Sequence, residues 1–211
     1  MNHIEQEFKW ACTCEADFEN FLQAIHRLAV RCVGPEKLSI TDTYLDTPQR
    51  SLSAQKVALR VRQVEGVFEA TLKTKTALKN GMACRQEITL PLKDASTLPR
   101  ALEHLKMLQK WEGVEVALVD RIFTIKNQRH LYQLTYKKCQ CEAAFDRYVT
   151  QAQGHQWLRR EIELELKKGA VKDFLQLAQK ITQLTQLPAA KISKVAGAEK
   201  WIKEKLGKTN F

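Results

Sequence analysis

The sequence predicts an α+β fold: a closed antiparallel β-barrel of about eight strands, forming a tunnel with a charged interior, with helices packed outside. Three observations predict it. Segment after segment alternates with period two, as strands do. One face of these segments carries charges of both signs, while the opposite face, clearest in Ile162, Leu164 and Leu166, is apolar and requires burial. The helical segments carry apolar stripes that need a partner. If the helices cover the apolar outer face, the charged faces must turn toward one another. A ring of about eight strands then leaves room for side chains and one small ligand.

Each element follows from local pattern. Residues 4–12 put Glu5, Glu7 and Lys9 on one face and Ile4, Phe8 and Trp10 on the other. Residues 17–30 space Phe18, Phe21, Leu22, Ile25, Leu28 and Ala29 as a helix does, with Asp17 as N-cap. Gly34-Pro35 breaks the chain. Strands follow at 39–46, 57–63, 67–75 and 82–90, separated by turn signals at Gly66 and Asn80-Gly81. Residues 95–111 read as a helix with Leu98, Leu102, Leu105 and Leu108 in one stripe and Pro99 in its first turn. Further strands lie in 115–126, 130–137, 141–149 and 158–166. Helices at 171–186 and 193–206 end the chain, with Pro188 between them. No repeat or long linker intervenes, so residues 1–211 read as one domain that includes the C-terminal helices, 170–208.

Composition narrows the function classes. The 211 residues are 44% hydrophobic, enough for a real core, which excludes wholesale disorder. No run of about 18 apolar residues exists to span a membrane as a helix, so no membrane partner is expected. The first ten residues are too charged for a secretory signal, which predicts a cytoplasmic protein with six reduced cysteines. Lys and Arg number 34 against 24 Asp and Glu, a net charge of +10 that calls for a polyanionic partner. If the charged faces converge inside a barrel, that surplus is largely internal. Non-specific DNA binding is then weak, and no nucleic-acid partner is expected.

The charged faces are Glu5-x-Glu7-x-Lys9, Arg60-x-Arg62, Glu69-x-Thr71-x-Lys73-x-Lys75, Arg85-x-Glu87-x-Thr89 and Glu161-x-Glu163-x-Glu165. Three carboxylates in a row repel unless something neutralises them. Clustered carboxylates in a wet site suit a hard divalent cation such as Mg²⁺ or Mn²⁺. Clustered Arg and Lys suit an anion. A phosphate chain with bound metal answers both needs.

In order along the chain, these residues resemble the CYTH superfamily, the triphosphate tunnel metalloenzymes. Glu5-x-Glu7-x-Lys9 resembles the family's ExExK signature, and Thr43-Tyr44-Leu45-Asp46-Thr47-Pro48 its tyrosine-plus-DT segment. Ala58-Leu59-Arg60-Val61-Arg62 resembles its LRxR strand, Thr71-Leu72-Lys73 its TxK strand and Arg85-Gln86-Glu87 its RxE strand. Arg121 and Asp146 stand where the family has an arginine and an aspartate on later strands. Residues 161–166 resemble its second acidic strand, and Ser193-Lys194 its C-terminal lysine. The likeness covers nearly the whole chain and is greatest to the bacterial inorganic triphosphatase branch.

That resemblance implies roles. Glu5, Glu7, Glu163 and Glu165, with Glu161 sharing their parity, would hold one or two Mg²⁺ or Mn²⁺ ions. Lys9, Arg60, Arg62, Lys73, Arg85, Arg121 and Lys194 would contact phosphate oxygens. Lys75 has the same parity with less family support. Glu87 and Asp146 would orient those cations or a water. The implied reaction is metal-dependent hydrolysis of a small-molecule triphosphate, tripolyphosphate foremost, by in-line attack of water on the terminal phosphorus. The implied state is a monomer or homodimer. Related tunnels cyclise ATP or hydrolyse thiamine triphosphate, but no motif for holding a base is legible here. A non-catalytic polyphosphate- or nucleotide-binding module would not need a row of glutamates. A zinc site at Cys12-x-Cys14 or Cys139-x-Cys141 lacks the usual CxxC spacing, and strand alternation makes each pair packing thiols. The five histidines show no paired spacing.

Overall fold

The structure is a computed structural model that describes residues 2–94, 97–109 and 114–205. It contains nine strands: β1 (Asn2–Cys12), β2 (Arg31–Asp46), β3 (Ala58–Val64), β4 (Val67–Lys73), β5 (Ala77–Lys79), β6 (Met82–Leu92), β7 (Asp120–Tyr136), β8 (Cys139–Ala152) and β9 (His155–Gly169). The helices are α1 (Glu15–Arg27), α2 (Ser51–Ala54), α3 (Leu98–Gln109), α4 (Val171–Thr185) and α5 (Lys194–Lys205). None of them is long and apolar enough to cross a membrane.

Eight strands form a closed antiparallel ring in the order β1-β9-β8-β7-β2-β3-β4-β6. Pairing of Asn2–Glu7 with residues 83–88 joins β6 back to β1 and closes it. The short β5 sits outside the ring on β6. Closure leaves no long edge open to other chains. The expected barrel, with its helices outside, is therefore the fold.

The helices cover the apolar outer face in two patches. Phe18, Phe21 and Ile25 of α1 and Phe174, Leu177 and Ile181 of α4 pack on Trp10, Phe145, Ile162 and Leu164. Leu102 and Leu105 of α3 pack on Leu59, Ala70, Leu72 and Ile88. A third cluster breaks this rule. Tyr44, Phe123, Ile125 and Tyr148 share strand parity with the charged tunnel residues, yet they pack against Ala198, Trp201 and Ile202 of α5. The last helix therefore fills one end of the barrel, and Lys194 at its start reaches into the charged zone.

Several boundaries differ from the sequence reading. Residues 115–126 and 130–137 do not form two strands. They belong mostly to one, β7, because Ile125, Asn127 and Arg129 continue the inward alternation across the gap left between the two segments. In a wet barrel, inward polar residues do not end a strand. Gly34-Pro35 does not end β2 either. It sits at a β-bulge between Val33 and Glu36, where a missing N–H costs no ladder bond. Asp17 is not the N-cap. Cys14 holds that position, and Asp17 reaches back three residues to accept from the Cys14 and Thr13 N–H groups. Cys14 thus lies beyond β1 and does not share a strand face with Cys12. α2 and β5 were not foreseen, being too short to show a period. The extension of the third helix to Trp111, and of the last to Leu206 and Lys208, lies outside the described residues.

Replacing Trp201 by Ala removes the ring stacked on Trp157 at 5.7 Å between centroids and opens the filled end of the barrel. Its side chain is almost wholly buried, so the expected cost is about 3 kcal/mol, read as a lowered denaturation midpoint.

Candidate active site

The inner faces of the ring enclose a tunnel cavity of about 500 Å³. Glu5, Lys9, Arg60, Arg62, Lys73, Arg85, Glu87, Glu163 and Glu165 line it, as the shared parity of their strands predicts, and Lys194 joins them from α5. Glu7, Asp146 and Glu161 are buried just behind, each in contact with a lining cation.

The charges are arranged as interlocked pairs. On the β1–β6–β4 wall, Arg85 binds Glu5 and reaches Glu7 at 3.0 Å, while Lys73 bridges Glu5 at 2.9 Å and Glu87 at 2.7 Å. On the β9 wall, Lys194 Nζ lies 2.6 Å from Glu163, 2.8 Å from Glu161 and 2.9 Å from Asp146. Lys9 donates to Glu163 at 2.6 Å. On the β2–β3 wall, Asp42 accepts Arg62 Nε at 2.7 Å and Nη2 at 2.8 Å, a bidentate fork.

Burial favours the neutral form of each acid, and the neighbouring cations decide the outcome. Burial would raise Glu5, but Lys73 and Arg85 hold it well below the usual carboxylate range. Burial likewise opposes ionisation of Glu163, and Lys194, Lys9 and Arg129 overcome it, so Glu163 lies far below its ordinary value. Asp146 is held at about 2 against its burial by Arg129 and Lys194. Glu161 and Glu165 go the other way: burial raises both, outweighing the lysines beside them.

Two expected residues lie elsewhere. Arg121 is exposed beside a second cavity, with Asp46, Thr47 and Arg50, at the end filled by α5. The arginine that enters the tunnel is Arg129, whose guanidinium binds Asp146 at 2.6–2.7 Å and Glu163 at 2.7 Å. Eight residues along one strand is about 27 Å, so the two arginines share parity and only their depth along β7 separates the one in the tunnel from the one at its end. Lys75 lies past the end of β4, exposed. The sequence reading also missed Asp42, which shares inward parity with Tyr44, and Asn127. Alternation signalled both, but neither belongs to a charged run. His3, one of the five histidines without paired spacing, lines the tunnel. Val67, Phe68 and Pro91 add an apolar lip that no base-holding motif had suggested.

The expected internal surplus of positive charge is absent. Eight cations (Lys9, Arg60, Arg62, Lys73, Arg85, Arg129, Lys167 and Lys194) line the cavity, and the carboxylates lining it or directly contacting them are no fewer: Glu5, Glu7, Asp42, Glu69, Glu87, Glu142, Asp146, Glu161, Glu163 and Glu165. The cavity's charges therefore do not supply the net +10, and the sequence-based argument for weak DNA binding falls away.

A charged, closed tunnel of this kind defines a class, and comparison with known proteins places the chain in it. Residues 3–198 match the CYTH domain model, so the chain belongs to the CYTH family. An inorganic triphosphatase from Haemophilus influenzae is 31% identical over 144 residues, covering 68% of this chain and 40% of that protein, so the aligned region spans well under half of the relative. Among solved structures, one from Hippeastrum, titled as a candidate adenylyl cyclase that reveals a dominant triphosphatase activity, superposes with a TM-score of 0.69. Its identity is 15%, covering 93% of this chain and 96% of that one. A candidate adenylate cyclase from Bacillus halodurans gives a TM-score of 0.62 at 19% identity, covering 98% and 99%. At these identities both show the shared fold.

The buried acids make stability pH-dependent. Burial opposes ionisation of Asp42, yet Arg60 and Arg62 hold it far below 3.8, and Asp146 behaves alike. A depressed folded value means the unfolded chain binds more protons in the window, so stability rises with pH there. The contribution is complete above the unfolded value of 3.8 and is lost as pH falls toward about 2. Calorimetry should show the melting temperature falling below about pH 4, and Asp42→Asn should flatten that fall while lowering stability at neutral pH.

Proposed function

We propose that this protein hydrolyses inorganic triphosphate to pyrophosphate and phosphate inside the tunnel, with Mg²⁺ or Mn²⁺ as cofactor. The observation that carries the reading is the enclosed ring of Lys and Arg side chains interlocked with two acidic strands. The triphosphatase name of the Haemophilus influenzae relative supports it.

Among the described residues no three carboxylates stand ready as a metal cage, because each is turned toward a cation. The donor chemistry nonetheless fits a hard cation. All candidate ligands are carboxylates on two adjacent strands, and Glu7 sits directly opposite Glu165 in register, a like-charge pair that Lys9, Arg85 and Lys167 neutralise and that a bound cation would neutralise in their place. Glu5, Glu7, Glu161, Glu163 and Glu165 are the residues that would hold it. Bound there, a divalent cation supplies charge neutralisation to phosphoryl oxygens.

The remaining work falls to the chain itself. A polyphosphate entering the tunnel exchanges carboxylate partners for phosphate oxygens at Lys9, Arg62, Lys73, Arg85, Arg129 and Lys194. Those cations then neutralise charge that develops on the phosphoryl oxygens and leaving group during in-line attack by water. Glu87 and Asp146 keep Lys73, Arg129 and Lys194 aimed. The tunnel walls hold the chain in line and limit water. Six free thiols suit a reducing cytoplasm.

A second reading has one observation in its favour. The lip formed by Val67, Phe68 and Pro91 offers an organic group a place to rest, as ATP or thiamine triphosphate would require. Phosphate release from tripolyphosphate, ATP and thiamine triphosphate, with a cyclic AMP assay alongside, decides between them. Tripolyphosphate should be fastest. Faster ATP turnover would favour the second reading, and cyclic AMP as the main product would make the protein a cyclase.

Glu163→Gln should lower the rate on the order of 100-fold or more and raise the metal concentration needed for half-maximal rate. It should also lower the melting temperature, because three cations lose a shared partner. Glu165→Gln separates the effects: it relieves the repulsion with Glu7, so the melting temperature should hold while the metal curve shifts. An unchanged metal curve in both variants would refute the ligand assignment.

A further inference from the structure

Among the tunnel cations of the described residues, the exposed Lys167 aside, one is set apart. Lys9, Arg62, Lys73, Arg85, Arg129 and Lys194 each have a carboxylate oxygen within 2.9 Å. Arg60 does not. Arg60 is 8% exposed, its nearest carboxylate oxygens are Asp42 at 3.5 Å and Glu87 at 3.9 Å, and its Nε has no hydrogen-bond partner. The cause lies one strand away. Asp42 spends both oxygens on the bidentate fork to Arg62, which leaves Arg60 a long contact only.

A buried guanidinium carries five donors, and the unpaired Nε–H of Arg60 is costly unless a ligand completes it. The other six cations must give up a close carboxylate before they can bind a phosphate, an exchange that a metal on those carboxylates would favour. Arg60 has only its long contacts to Asp42 and Glu87 to give up. We propose that Arg60 is a metal-independent anion anchor: it binds a phosphoryl group of the polyphosphate first, before metal, and the remaining cations engage only once metal has taken their carboxylates. Asp42 acts as a positioning residue, since it keeps Arg62 committed and Arg60 open. The inference rests on the triphosphate reading and adds an order of binding to it.

The test is titration of tripolyphosphate in EDTA into the full chain, by calorimetry, for the wild type, Arg60→Gln, Lys194→Gln and Asp42→Asn. Arg60→Gln and Lys194→Gln change tunnel charge equally, so a long-range effect would weaken both alike. The anchor predicts at least a 10-fold loss for Arg60→Gln and no more than about 3-fold for Lys194→Gln. It also predicts tighter metal-free binding for Asp42→Asn, because Arg62 is released as well. The melting temperature of Arg60→Gln should fall less than that of Lys194→Gln, because Arg60 makes only long contacts whereas Lys194 has three carboxylates within 2.9 Å. Equal losses for the two cation variants, or no metal-free binding by the wild type, overturn the anchor. Normal metal-dependent hydrolysis without metal-free binding would sink the anchor alone. Arg60-dependent binding in a protein that hydrolyses no triphosphate would uphold the anchor and sink the functional reading.

Discussion

The constraint on which the rest depends is the cost of burying charge. A carboxylate or ammonium group taken out of water is penalised by several kcal/mol and survives ionised only with close partners. The tunnel satisfies this by register. Glu5 opposes Arg85 across β1 and β6, Lys9 opposes Glu163 across β1 and β9, and Arg62 opposes Asp42 across β3 and β2. A slip of one residue in any of these strands would point its charges into the outer apolar layer. The same alternation that hides Ile162 and Leu164 under α1 and α4 therefore holds the charged ring together. Fold and site share one specification.

Such an interior contributes little net stability, because pairing offsets desolvation without clearly exceeding it. Stability comes from the helix-covered faces and from the apolar end, where α5 packs Ala198, Trp201 and Ile202 onto Tyr44, Phe123 and Tyr148. That end also positions chemistry. Lys194 begins the same helix, so the packing of Trp201 on Trp157 fixes where its ammonium group meets Asp146, Glu161 and Glu163. The lysine reaches the tunnel from outside the sheet, which no strand alternation could have revealed.

Much of this was legible in the amino-acid sequence, for a physical reason. Period-two alternation with charge on one face has few solutions once the other face is apolar, and Glu161-x-Glu163-x-Glu165 against Ile162, Leu164 and Leu166 exposes it directly. What escaped was information that lies in pairing between strands. Asp42 stands alone between neutral neighbours, and only the β2–β3 register places it beside Arg62. Arg129 was missed because it falls in the gap between the two segments, 115–126 and 130–137, that read as separate strands. The balance of charge was misjudged because counting along the chain does not separate inner from outer residues. The short α2 and β5 carry too few residues for any periodicity.

If the interlocked charges exchange partners to receive a polyphosphate, crystals grown with tripolyphosphate and Mn²⁺ should hold a phosphate chain inside the barrel, with Lys9, Arg60, Arg129 and Lys194 turned to its oxygens and Mn²⁺ on carboxylates of β1 and β9. A chain bound instead at the outer surface or at the second cavity by Arg50 and Arg121, with the tunnel ion pairs unchanged, would contradict this exchange.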